Sequence, residues 1–146
     1  MADGTSEQAT EELAGELRPL ILRLSRRIRR ERSDVQVSDS QLLVLFQLER
    51  AGALTPGELA ELEQVSPPSM NRTLNGLEEA GYVRRTPSPE DRRKVIVEPT
   101  EAGSAVVRST RTLRTLWLRE RLAGLDPAAV AALAGAVDAL RKLAGS

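Results

Sequence analysis

Apolar residues recur at Leu13, Leu17, Leu20, Leu24 and Ile28, at spacings of four, three, four and four. Such a stripe lies on one face of an α-helix. It predicts a first helix over about Glu7 to Arg32, with Pro19 as a point where it could kink. Ser38-Asp39-Ser40-Gln41 reads as a capping box. It opens a second helix carrying Leu42, Leu45, Phe46 and Leu48, which Gly52 ends. Thr55-Pro56-Gly57-Glu58 repeats the capping box with proline at the first helical position, and predicts a short third helix with Leu59 and Leu62 facing inward. Ser66-Pro67 opens a fourth, with Met70, Leu74 and Leu77 on one side and Gly81 as its stop.

The period then changes. Tyr82–Thr86 and Lys94–Glu98 read as two strands joined by the turn-rich Pro87-Ser88-Pro89-Glu90-Asp91, too long for a two-residue hairpin. Thr100-Glu101 caps a fifth helix running through Val106, Leu113 and Trp117 to about Leu122. After Gly124-Leu125-Asp126-Pro127, a stop followed by a start, a sixth helix carries Val130, Leu133, Val137, Leu140 and Ala144. The expected fold is mainly α with a small β-hairpin wing. Residues 1–146 form a single domain, with a winged helix-turn-helix lobe over 37–100 and a helical dimerisation lobe from 7–32 and 101–145.

The dimer enters because the terminal helices carry apolar stripes at opposite ends of the chain. A helix-turn-helix of this size cannot cover both. Mutual burial with a second copy is the simplest solution, placing Leu13, Leu17, Leu20, Leu24, Val130, Leu133, Val137 and Leu140 at the interface. The alternative is a monomer whose end helices pack on each other.

Composition narrows the chemistry. The 146 residues include neither cysteine nor histidine, which removes disulfides, zinc-thiolate sites, thiol switches and the commonest acid-base side chain. The carboxylates read as helix caps and solvated faces. No enzyme, metal or cofactor is expected. Residues 1–12 are small, polar and acidic, without the basic start and apolar run of a signal peptide, and no apolar stretch is long enough to span a bilayer. The expected location is the cytoplasm, away from the membrane.

Net charge is zero, but its distribution matters more than its sum. Arg84 to Lys94 carries +3, Arg23 to Arg32 carries +5, and Asp39 to Val83 carries −5. Any contact with a polyanion in the acidic middle must therefore come from particular side chains. The arginines of the first helix read either as a solvated face or as backbone contacts.

Those particular side chains sit on the fourth helix. Only Glu63-Gln64-Val65 separates it from the third, a helix-turn-helix spacing. Pro68, Arg72 and Asn75 lie roughly opposite its apolar arc, with Asn71 on one flank and Ser69 on the other. Arginine can read guanine O6 and N7, and asparagine can read adenine N6 and N7. Ser66 and Ser69, beside exposed N–H groups at the helix start, suit a phosphate. Glu78 and Glu79 oppose DNA contact in the last turn. At the hairpin, Arg92, Arg93 and Lys94 crowd the distal edge, Arg85 lies on the first strand, and Asp91 is placed to pair with a neighbouring arginine and fix the loop. An arginine projecting there suits a narrow minor groove.

Several of these residues carry a resemblance. They are Leu59-Ala60, the run Asn71-Arg72-Thr73-Leu74-Asn75-Gly76-Leu77-Glu78-Glu79-Ala80-Gly81-Tyr82-Val83, then Asp91-Arg92-Arg93 and Thr100-Glu101-Ala102-Gly103. Over nearly its whole length the chain resembles the MarR family (multiple antibiotic resistance regulators) of winged-helix proteins. The resemblance implies a cytoplasmic, bacterial, homodimeric transcriptional regulator, often a repressor, bound to double-stranded DNA at a near-palindromic operator. Arg93 would be the wing arginine and Arg72 the recognition-helix arginine. It also implies a small lipophilic or aromatic effector held near the first, second and fifth helices. Departures from the family pattern are Pro99, Pro67-Pro68, and Asn75-Gly76 where an Asp-Arg pair is common; they bear on the operator more than on the fold. The rival reading is a dimeric winged-helix adaptor that binds protein instead of DNA.

Overall fold

The computed structural model describes the backbone of residues 3–34 and 36–145, and side chains from Ser6 onward within them. The elements follow the predicted order: α1 (Asp3–Arg30), α2 (Asp39–Ala51), α3 (Pro56–Leu62), α4 (Pro67–Glu79), β1 (Val83–Pro87), β2 (Val95–Pro99), α5 (Glu101–Ala123) and α6 (Pro127–Leu143). The start of each short helix is set by side chains. Ser38 and Gln41 make both bonds of a capping box, as do Thr55 and Glu58. Ser66 and Asp126 each accept from a backbone N–H of the following turn. Gly52 and Gly81, at φ +86° and +75°, take the positive φ values that end α2 and the α4 segment.

The chain divides into two compact units, Arg29–Leu113 and the two terminal segments flanking it. Within Arg29–Leu113, Val44, Leu45 and Leu48 of α2, Leu59 of α3, Leu74 and Leu77 of α4, Val97 of β2 and Val107 of α5 form a closed core. Strands β1 and β2 pair antiparallel, from Val83 with Pro99 to Pro87 with Val95. Leu54 bridges to Val97 on the other side, giving and accepting one bond at 3.1 and 2.7 Å. The unit extends past residues 37–100 because α1 and α5 lend it their adjoining turns. Buried Thr110 accepts from the Ser33 N–H at 3.2 Å, and the Ser33 hydroxyl donates to the Val106 carbonyl.

Thr100 and Gly103 fix where α5 begins. The Thr100 hydroxyl donates to the Gly81 carbonyl at 2.6 Å and accepts from Gly103 N–H at 3.2 Å. Gly103 is buried, and a Cβ there would overlap the Tyr82 carbonyl oxygen. The Thr-x-x-Gly signature is thus a close approach of helix to backbone that only glycine permits.

In the terminal unit α6 has no buried residue. Leu13, Leu20, Leu24, Val130, Leu133, Val137 and Leu140 are all exposed, between 38% and 55%, while Leu17 is half-buried. One sequence expectation is corrected. Leu62 is exposed rather than inward, because α3 ends there and its single turn of contact is taken by Leu59 and Ala60. α1 runs through Pro19, as the sequence predicts.

Candidate nucleic-acid interface

The turn between α3 and α4 depends on Gln64, whose φ of +52° is unusual for a residue other than glycine. It lets the Val65 N–H reach the Ala60 carbonyl at 3.0 Å and redirects the chain into α4. There Ser66 caps Ser69 N–H at 3.4 Å and donates to the Ser69 hydroxyl at 3.0 Å. With Met70, Leu74 and Leu77 buried, the opposite face is set: Pro68, Ser69, Asn71, Arg72 and Asn75 are exposed, as is Ser66 before them. α4 therefore presents a polar, arginine-bearing surface suited to base edges along its side. Its start offers the Ser66 and Ser69 hydroxyls rather than the free backbone donors expected from sequence. Pro67 and Pro68 have no N–H, Ser66 Oγ takes the Ser69 N–H, and the Ser66 carbonyl takes the Met70 N–H.

At the tip of the hairpin one carboxylate oxygen organises the loop. Asp91 Oδ1 accepts from the Arg93 backbone N–H at 3.1 Å and from Arg93 Nε at 3.2 Å. The Lys94 N–H closes the turn onto the Asp91 carbonyl at 2.9 Å, and Ser88 N–H reaches the Lys94 carbonyl at 2.8 Å. The Arg93 side chain nevertheless remains 91% exposed. Arg92 and Lys94 are exposed beside it. The loop is thus stiffened while its cations stay in water.

Arg85, counted from sequence among the DNA-contacting residues, makes hydrogen bonds within the protein. Its side chain is only 23% exposed and lies against α4. Nη1 donates to Asn75 Oδ1 at 2.8 Å and to Glu78 Oε2 at 3.2 Å, and Nη2 approaches the Asn71 carbonyl at 3.5 Å. Residues 71, 75 and 78 are one helical edge, so one guanidinium spans two turns of the helix. Arg85 ties hairpin to helix, and it offsets the charge of Glu78 that argued against DNA in the last turn. The sequence held no periodic signal for this tether, because it joins a helix to a strand across Gly81. Another unread contact is Tyr82 Oη donating to Asp34 Oδ2 at 2.5 Å.

Fold and face together define a winged helix-turn-helix DNA-binding regulator. A sequence model of the MarR family matches residues 37–95. An HTH-type transcriptional regulator of Mycobacterium bovis is 42% identical over 131 residues, 90% of this chain and 92% of that protein. A solved transcriptional regulator from Pseudomonas aeruginosa shares 33% identity at a TM-score of 0.81, covering 92% of this chain and 96% of that one. A mutant MarR from Escherichia coli, solved in complex with operator DNA, is 26% identical at a TM-score of 0.61, over 87% and 92%. The chain belongs to the MarR family, whose members are transcriptional regulators, and no described helix is long and apolar enough to cross a membrane.

Proposed function

We propose that this protein is a homodimeric repressor occupying a near-palindromic operator, with α4 of each copy in one of two successive major grooves about 34–36 Å apart. In this reading Arg72 meets a base edge, Ser66 and Ser69 meet phosphate, and Arg93, with Arg92 and Lys94 beside it, enters or flanks the minor groove. The observation that carries it is the 91% exposed Arg93, held by Asp91 on the same unit as the polar face of α4.

The uncovered apolar stripes of α1 and α6 support the dimer: Leu13, Leu20, Leu24, Leu133, Val137 and Leu140 are 41–55% exposed. A small lipophilic or aromatic effector would act through unequal affinity for two dimer geometries. A groove of about 450 Å³ behind α4, lined by Leu43, Val44, Val65 and Met70 with Glu63 and Ser69, is one place where binding would bear on that helix.

Salt titration of duplex binding tests the reading. Six to ten phosphate contacts should lower affinity by about 10³–10⁵ between 50 and 200 mM salt. Arg93→Ala should reduce the salt slope by about one unit on every duplex, whereas Arg72→Ala should cost about 1–3 kcal/mol and relax preference at one base pair. A protein that retains no duplex at low salt would be an adaptor, and the proposal would fall.

A further inference from the structure

Arg85 decides which end of the Asn75 amide is available to DNA. A guanidinium has only donors, so the amide atom 2.8 Å from Arg85 Nη1 must be the oxygen. The assignment of oxygen and nitrogen, ordinarily ambiguous for asparagine, is here fixed by chemistry. The Nδ2 amine is then directed away from the guanidinium, on an exposed residue of the polar face.

The orientation is also held in place. Arg85 lies in β1 opposite Val97, with its guanidinium further bound by Glu78. Its Nε is buried without a hydrogen-bond partner. Releasing Asn75 Oδ1 would leave Nη1 with Glu78 alone, on a guanidinium whose Nε already lacks an acceptor.

Resting on the proposed DNA-binding role, we infer that Arg85 is a positioning residue that makes Asn75 a hydrogen-bond donor toward the major groove. The bidentate reading of adenine needs amide oxygen and nitrogen side by side, facing N6 and N7. With the oxygen facing β1, that fork is unavailable, and the adenine contact expected from sequence is withdrawn. A donor alone matches any base edge that presents an acceptor, the O6 and N7 of guanine, the O4 of thymine or the N7 of adenine, and is mismatched with cytosine, which presents the N4 donor. The operator should therefore avoid cytosine where Asn75 meets it, without the preference for adenine that the two-bond fork would give.

Selection of bound duplexes from a random pool tests this with the full-length protein and two variants. The wild type should exclude cytosine at one position of each half-site and show no preference there for adenine over guanine and thymine. Asn75→Asp keeps a partner for Arg85 but has acceptors only, so that position should turn toward cytosine or adenine by at least about fivefold, the lower end of what a base contact discriminates. Arg85→Met removes the tether and frees the amide to turn, so adenine should become preferred over guanine and thymine. If this variant does not fold, Arg85→Gln, whose amide can give or accept and so no longer dictates which Asn75 atom faces it, replaces it with the same expected outcome. Selection with the same base choice by the wild type and Asn75→Asp, or adenine already preferred by the wild type at the position that Asn75→Asp alters, overturns the inference alone. Failure of the wild type to select any duplex refutes the DNA-binding role, and this inference with it.

Discussion

Every described residue that is buried lies in Arg29–Leu113, and none lies in the terminal segments. Both units have helices with clear apolar stripes. In the winged unit those stripes meet each other: Leu45, Leu59, Leu74, Leu77 and Val97 are completely shielded. In the terminal unit Leu133, Val137 and Leu140 are 41–46% exposed. Amphipathic periodicity therefore states that a face must be covered, but not by what. The winged unit answers from within the chain, whereas the stripes of the terminal unit stay uncovered.

The largest expected effect breaks that contrast from the terminal side. In the proposed dimer, Leu133→Asp with Leu140→Asp would place two carboxylates on the apolar stripe of α6, at about 3–5 kcal/mol for each one buried without a partner. Dimerisation should weaken by more than about a hundredfold, read by analytical ultracentrifugation, and operator affinity should fall with it. The amide resonances of Leu45, Leu74 and Val97 should stay where they are. Collapse of those resonances together with the dimer would show that the winged core is not self-sufficient.

A smaller effect tests the winged side. Gly103→Ala drives a methyl group into the Tyr82 carbonyl and cannot be absorbed by rotating a side chain, so α5 or the end of α4 must shift. The expected cost is that of overpacking, about 1–3 kcal/mol, read as a lower denaturant midpoint with an unchanged slope. Alanine at Gly135, where nothing lies within 4 Å of the added atom, should leave the midpoint level or raise it. Equal losses at both positions would mean that α5 docking is not what Gly103 provides.

The two units also differ in how well the sequence announced them. Elements and their caps were legible because the signals are local: Ser38 with Gln41 and Thr55 with Glu58 lie three residues apart, inside a single turn. The wing was legible from a change of period, and Asp91 from its distance of two residues to Arg93. What could not be read are contacts joining remote segments through one side chain. Arg85 reaches Asn71, Asn75 and Glu78, Tyr82 reaches Asp34, and neither leaves a mark on periodicity. Leu62 was misread for a related reason. In a seven-residue helix, period alone cannot tell which apolar position receives the contact. Gln64 shows the limit of residue preference, since it takes a positive φ without being glycine or asparagine.

The smallest expected effect concerns the Tyr82–Asp34 bond, which draws the segment before α2 onto the end of α4. The Tyr82 hydroxyl, and then the Gln36 backbone N–H, hold the Asp34 carboxyl below its ordinary value, with partial burial opposing them. The same bond and burial raise the Tyr82 phenol. A carboxyl whose folded pKa is depressed contributes stability above its unfolded pKa, about 3.9, and loses that contribution as pH falls through the folded value. The raised phenol contributes below its own unfolded pKa, about 10, and loses its contribution as pH rises past the folded one. The wild type should therefore melt above Asp34→Asn between about pH 5 and 9, by no more than about 4 °C since the pair is partly solvated. The gap should begin to narrow below about pH 4, where the unfolded chain takes up the Asp34 proton, and close as pH falls through the lower folded value. A gap of constant size from pH 3 to 7 would mean that the hydroxyl bond is as strong to a neutral amide as to the carboxylate, and that packing of the Tyr82 ring, rather than charge, holds this corner of the winged unit.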